Sequence, residues 1–203
     1  MDENALILQA KHGDLDAFNR LVLAYQEQAY NLALRLLGDA PSAQDATQVA
    51  FIKAYQAIKS FRGGSFRAWI LRILTNACYD ELRRQKRKPT EDLNPVDAVS
   101  GDELEDPAWL SDESQSPEEH VTQQELEKAI QRCLGGLSEE FRAVIVLVDV
   151  QGMDYQEASE VVKKPLGTIR SRLARARKRV QDCLQNVGEL LPNKYRLNDK
   201  SRP

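Results

Sequence analysis

The chain is poor in almost everything that a disulfide-stapled, metal-binding or membrane-spanning protein requires. Among 203 residues there are three cysteines and two histidines. Cys78, Cys133 and Cys183 are widely spaced and odd in number, which fits neither a disulfide framework nor a metal site. They are expected to be buried free thiols in a reducing cytosol. His12 and His120 stand apart from each other and from the cysteines. No catalytic constellation, metal or cofactor is expected, and the chain does not read as an enzyme. There is no apolar run of about 18 residues and no signal-peptide core, which points to a cytoplasmic protein with no membrane insertion. Alternation of apolar and polar residues is scarce, whereas helical periodicity is widespread, so the fold class is all-α.

Charge is what the chain has in plenty, and it is unevenly placed. From Pro89 to His120 there are eleven Asp or Glu and no Lys or Arg, with four prolines and no apolar period. Such a segment cannot bury enough apolar surface to fold alone and reads as a flexible acidic linker. Without those eleven acids, the rest of the chain holds 20 acids against 28 bases. Two basic modules, residues 1–88 and 121–188, therefore flank an acidic tether at 89–120, and a tail follows at 189–203. The tether is either a soluble spacer or a partial mimic of nucleic acid.

The N-terminal module reads as four helices. Glu3 to Lys11 is broken at Gly13. Asp14 caps a long second helix that stops at Gly38. Ser42 is expected to cap a third, with Ala46, Val49, Ala50, Tyr55 and Ile58 facing inward. A glycine loop, Arg62-Gly63-Gly64-Ser65, precedes a fourth from Phe66 towards Lys86. One stripe of that helix carries Trp69, Arg72, Asn76, Tyr79 and Arg83. An aromatic, an amide and arginines along one line suit unpaired bases and their phosphates.

The C-terminal module holds the most informative stretch. From Lys163 to Arg179 there are eight Lys or Arg and no acid. Within it Ile169, Leu173, Ala176 and Val180 recur at helical steps and form a buried seam. Thr168, Ser171, Arg172, Arg175, Lys178 and Arg179 fall on the opposite side. A short helix upstream, Met153 to Val162, and a turn ending at Pro165 complete a helix-turn-helix, the second helix suited to a DNA major groove. Before it, Val121 to Leu134 forms a helix, and Ser138 caps another whose Val144, Ile145, Leu147 and Val148 make the module's core.

These residues resemble a known family. The segments from Leu137 to Arg142, Asp149 to Glu157 and Pro165 to Arg177 are similar to the fourth conserved region of bacterial sigma factors of the extracytoplasmic-function (ECF) group. The segments from Ala43 to Tyr55 and Phe66 to Asn76 are similar to that group's second region. The resemblance implies two helical domains joined by a flexible acidic linker, the second bearing a helix-turn-helix. It also implies binding to core RNA polymerase and promoter DNA, with an anti-sigma factor as a further potential partner. Asp45, Gln48 and Ile52 would dock on the polymerase. Arg62, Gly63, Gly64, Ser65, Trp69, Arg72, Asn76 and Arg83 would hold the unpaired −10 strand. Pro165, Thr168, Arg170, Ser171, Arg172, Ala174, Arg175 and Lys178 would read the −35 element. Lys163-Lys164 stands where the family's turn often has glycine, and a lysine forced to positive φ there costs about 1 kcal/mol. The competing reading is a stand-alone helix-turn-helix transcriptional regulator, which explains the C-terminal module but neither the Trp69–Asn76 stripe nor the tether. An RNA-binding adaptor is a third reading of the same stripe.

Overall fold

Asp2, Asp14 and Asp39 each turn a carboxylate onto a backbone N–H at the foot of a helix, and these three contacts set the beginning of the chain's path. The computed structural model describes residues 2–87 and 117–186, with the side chains of 117–124 left aside. The helices are α1 (Glu3–Lys11), α2 (Leu15–Leu37), α3 (Ala40–Ala57), α4 (Phe66–Arg87), α5 (Pro117–Gly135), α6 (Glu139–Ile145), α7 (Tyr155–Val162) and α8 (Leu166–Gln185). A short 3₁₀ turn, Ile58–Ser60, follows α3, and a π turn, Val146–Val150, extends α6. No strand occurs among the described residues, as an all-α chain requires. Most of the acidic tether and the whole C-terminal tail lie outside the described residues.

In the N-terminal half, α2, α3 and α4 pack on one another and α1 lies across α2. Gly38 ends α2 in the left-handed conformation (φ 95°) and returns its N–H to the Leu34 carbonyl. The start of α3 differs from expectation. Asp39, not Ser42, is the cap, its Oδ1 accepting from the Ser42 N–H at 2.8 Å. Pro41 has no N–H to leave unpaired and is at home in a first turn, so the helix begins nearer to α2. The seam of α3 is Ala43, Ala46, Ala50 and Ala54, all buried, whereas Val49 and Tyr55 are 41% and 38% exposed. Small side chains let the helix approach its neighbours closely and turn the larger ones outward.

In the C-terminal half, α8 packs against α5, α6 and α7 through Ile169, Leu173 and Ala176. The turn between α7 and α8 holds Lys163 at φ 52°, the one positive φ at a non-glycine among the described residues. The cost expected for lysine in that turn is therefore present. Asp154 and Glu157 form a reciprocal capping box at the start of α7. Ser138 occupies the cap position of α6 without a side-chain cap bond.

The expectation of three free cysteines is corrected. Cys133 of α5 and Cys183 of α8 are joined in a disulfide, 50 residues apart in sequence and 5.7 Å apart between Cα atoms. Only Cys78 is free, and it is buried. Spacing along the chain carries no record of this pairing, because it arises from two helices lying side by side.

The two halves are not held apart. Helix α7 packs along α4, and α5 and α6 reach α2. One cluster of buried apolar residues runs from Leu36 and Leu37 to Leu134, Leu137 and Val144.

Candidate nucleic-acid interface

Loop 61–65 and the start of α4 enclose a cleft of about 280 Å³ lined by the backbone of Gly63 and Gly64, by Ser65, and by Arg62, Trp69 and Arg72. Both glycines adopt positive φ, 97° and 87°, which closes the loop tightly and presents bare backbone to the cleft. Ser65 is a local organiser as well, its hydroxyl accepting from the Ala68 N–H at 3.1 Å. Phe61 anchors the loop from beneath, 5.5 Å from Phe66 and 5.4 Å from Trp69 between ring centroids. Lys11 fixes the same point from α1, donating to the Phe61 carbonyl at 2.6 Å. Trp69 is thus half in the core and half available at the cleft wall. Asn76 and Arg83 continue the stripe as exposed residues, and Arg83 pairs with Asp80 at 3.0 Å. Tyr79, half-buried on the same stripe, has its phenol pushed up to about 12 by burial and by the nearby Glu139 and Glu140 carboxylates. Its hydroxyl stays protonated over the whole physiological range.

On α8 the apolar seam faces inward and the cations face out. Arg170, Ser171, Ala174, Arg175 and Lys178 are exposed, and Thr168 is half-buried. Arg170 lies over the Tyr155 ring at 5.9 Å, and Lys178 pairs with Asp182 at 2.8 Å. Pro165 stands at the cap position with extended backbone. Arg172 differs from its neighbours: its side chain is 18% exposed and bonded to Glu140 at 2.6 Å. Arg177, whose protonation is reinforced by its hydrogen bond to Asp149, is held by both carboxylate oxygens. These two arginines brace the helix, and Arg170, Arg175 and Lys178 form the outward face.

Asp45, Gln48 and Ile52 are all exposed on one side of α3, and Val49 and Tyr55 add apolar surface beside them.

Family comparison decides what this pair of surfaces belongs to. The Sigma-70 region 2 model matches residues 21–88, and the Sigma-70 region 4 model matches residues 127–180. The RNA polymerase sigma-H factor of Pseudomonas aeruginosa is 36% identical over 187 residues, covering 90% of this chain and 94% of that protein. The ECF RNA polymerase sigma-E factor of Escherichia coli K12 is 36% identical over 188 residues, covering 91% and 95%. The chain belongs to the ECF sigma factors. It directs RNA polymerase to specific promoters for initiation. Among solved structures, CnrH bound to the cytosolic domain of CnrY aligns with a TM-score of 0.64 at 26% identity, covering 91% of this chain and 97% of that one. The sigma factor RpoE bound to the anti-sigma factor NepR, from Bartonella quintana, gives 0.63 at 26%, covering 84% and 98%. The stand-alone regulator reading has no place for the match over residues 21–88.

Sequence reasoning overlooked several polar residues of this sigma factor that act between its two regions. Arg67 donates to Gln28 in α2 and to the Gln151 carbonyl. Gln131 and Arg142 donate to carbonyls at the end of α2. Burial lowers the Arg142 guanidinium's affinity for its proton. A lone arginine beside an apolar run was the available signal at Arg142; Gln131 left none.

Proposed function

We propose that the loop and fourth helix of region 2 hold the separated −10 strand, and that α8 of region 4 reads the −35 duplex. The observation that carries this is the cleft itself: flexible-backbone glycines, a half-exposed indole and two arginines around a space of about 280 Å³, with Asn76 exposed along the same helix. A duplex offers such a surface only phosphates. A separated strand offers flat bases and free edges, and stacking on an aromatic contributes about 1–3 kcal/mol per base. The surface therefore binds the open promoter in preference to the closed one, which is melting by differential binding.

Asp45, Gln48 and Ile52, with the exposed Val49 and Tyr55, form the face offered to core RNA polymerase. Pro165, Thr168, Arg170, Ser171, Ala174, Arg175 and Lys178 form the −35 face, with Arg172 available once its pair with Glu140 opens. The protein works in the cytoplasm and catalyses no reaction itself. No helix among the described residues is long and apolar enough to cross a membrane. An anti-sigma factor is a partner on the strength of the two structural relatives, one bound to an anti-sigma factor and one to a cytosolic domain.

Asn76→Ala tests the −10 assignment, because the residue is exposed and supports no packing. Open-complex formation on duplex promoter should fall several-fold, while polymerase binding and −35 duplex binding stay at the parent level. A pre-melted bubble template should restore part of the loss. Unchanged melting by Asn76→Ala would make α4 a scaffold and end this reading.

A further inference from the structure

Loop 61–65 is a span between two fixed ends. At the far end Ser65 is tied into the first turn of α4, its hydroxyl accepting from the Ala68 N–H and its carbonyl from the Trp69 N–H, both at 3.1 Å. At the near end the Phe61 N–H closes the 3₁₀ turn on the Ile58 carbonyl at 3.1 Å. The Phe61 ring is buried against Phe66 and Trp69. Between the ends, Arg62, Gly63 and Gly64 are exposed, and the space beside both glycine α-carbons is open. Glycine backbone has the widest choice of path, so the glycines do not choose one themselves. The direction in which the span sets out is that of the peptide joining Phe61 to Arg62.

That peptide is held by its oxygen, and the holding group comes from elsewhere in the chain. Lys11, 50 residues earlier, donates from its ammonium to the Phe61 carbonyl at 2.6 Å. The carbonyl stands just past the 3₁₀ turn, beyond the reach of a helical N–H, and a charged donor gives a shorter and stronger bond than a neutral one. The same ammonium lies 5.9 Å from the centre of the Phe61 ring, so ring and oxygen share one cation. Helix α1 is a firm base for it. Leu6, Ile7 and Ala10 are buried, and the helix packs on α2 and on the 3₁₀ turn. A lysine in its last turn also suits the negative end of the helix. All of α1 precedes residues 21–88, the stretch that matches region 2.

We propose that Lys11 is a positioning residue for promoter recognition. By fixing the 61–62 peptide it sets the path of Arg62, Gly63 and Gly64, and through that path the choice of base in the cleft. This rests on the reading of the cleft given above and adds a determinant of its specificity. Phe61 lines the cleft and Lys11 stands outside the lining, so the lysine acts through Phe61. Without the tie the Phe61 ring still anchors the loop, but the span samples several paths and fits no one base well. Preorganisation is lost while the fold is kept.

Three full-length variants test this. Lys11→Met keeps the apolar stem and loses the donor, Lys11→Gln is shorter and neutral, and Lys11→Arg keeps a cationic donor. Each is assembled with core RNA polymerase and offered a pool of bubble templates whose melted non-template positions are randomised; bound templates are sequenced. The parent should enrich one base about 10-fold at the position that the loop contacts, and the two neutral variants only about 2- to 3-fold. Enrichment at the other positions, −35 duplex binding and the circular dichroism spectrum should stay at the parent level. Lys11→Arg should keep most of the parent's enrichment. Loss of stability alone does not relax one position and spare the rest.

Parent-level preference in both neutral variants would overturn the proposal, as would an even loss at every position or an arginine variant as relaxed as the methionine one. If Lys11→Met does not fold, Lys11→Gln decides by the same reading. Failure of both to fold would overturn the proposal too, since Lys11 would then hold the fold and not the loop. A parent that enriches no base in the melted segment would instead remove the −10 reading of the cleft, and the positioning role with it.

Discussion

The surfaces proposed for nucleic acid in regions 2 and 4 have opposite constructions. In region 4 the proposed reading face is the outer side of one helix: Ile169, Leu173 and Ala176 are buried, and Arg170, Arg175 and Lys178 are exposed on the other side. Structural and functional residues alternate with the helical period, so either set tolerates change without the other. In region 2 the surface is composite. A glycine loop supplies backbone, and Trp69 serves the cleft with one edge while packing against Phe61 and Phe66 with the rest. There the same residue packs in the core and lines the cleft proposed to bind. A surface that duplex DNA meets from outside can be laid on a finished helix, whereas a pocket for an extruded base has to be cut into the core.

The largest expected effect sharpens the contrast in how the two regions are held together. Region 4 is closed by the Cys133–Cys183 bond across 50 residues, and in the chain-entropy account such a ring contributes about 4 kcal/mol. Thermal unfolding followed with and without reductant should show one transition fall by many degrees, and Cys133→Ser should abolish that difference. Cys78 adds nothing to that difference, because it is unpaired and its thiol is pushed up to about 12 by burial.

Next comes the dual role of Trp69. Trp69→Ala should cost region 2 about 3 kcal/mol of stability, measured by denaturant unfolding, since it opens a gap beneath Phe61 and Phe66. No single substitution on the outward face of α8 should cost more than about 0.5 kcal/mol. If Trp69→Ala leaves stability unchanged while melting fails, the indole is purely a base platform and the contrast breaks.

A smaller effect separates readers from holders on α8. Arg170→Ala or Arg175→Ala should relax base preference by about 1–3 kcal/mol at one position, whereas Lys178→Ala should weaken all duplexes alike and flatten the salt dependence. Competition binding with point-substituted −35 duplexes distinguishes the two. Equal, sequence-independent losses at all three sites would show that none reads bases. The smallest effect is at the turn. Lys163→Gly should gain about 1 kcal/mol by relieving the positive φ, seen as a modest rise in the region 4 transition.

The same contrast explains what could be read from residues alone. The seam of α8, the stop of α2 at Gly38 and the cap at Asp14 all follow from local rules, and the strand-free architecture follows from periodicity. Inference failed where the deciding contact is between elements. Val49 and Tyr55 look like core by hydrophobicity, but α3 packs through its alanines, and a close helix approach selects for small volume rather than for apolar area. Cys133 and Cys183 meet only because α5 and α8 are neighbours. The shared wall of the cleft beside loop 61–65 has the same origin, as nothing near Ser65 in sequence points to Glu157 or Glu160.

The ring closed by Cys133 and Cys183 has a topological consequence. It encloses α6, α7 and all of α8 as far as Cys183, so the whole helix-turn-helix lies on a covalent loop from which the rest of the chain leaves as two arms. A peptide bond cut in the exposed turn between Lys163 and Lys164 does not release a fragment. Both pieces stay tied through sulfur, the recognition helix remains fastened to α5, and the molecule gains only the mass of one water until a reductant lets the halves part.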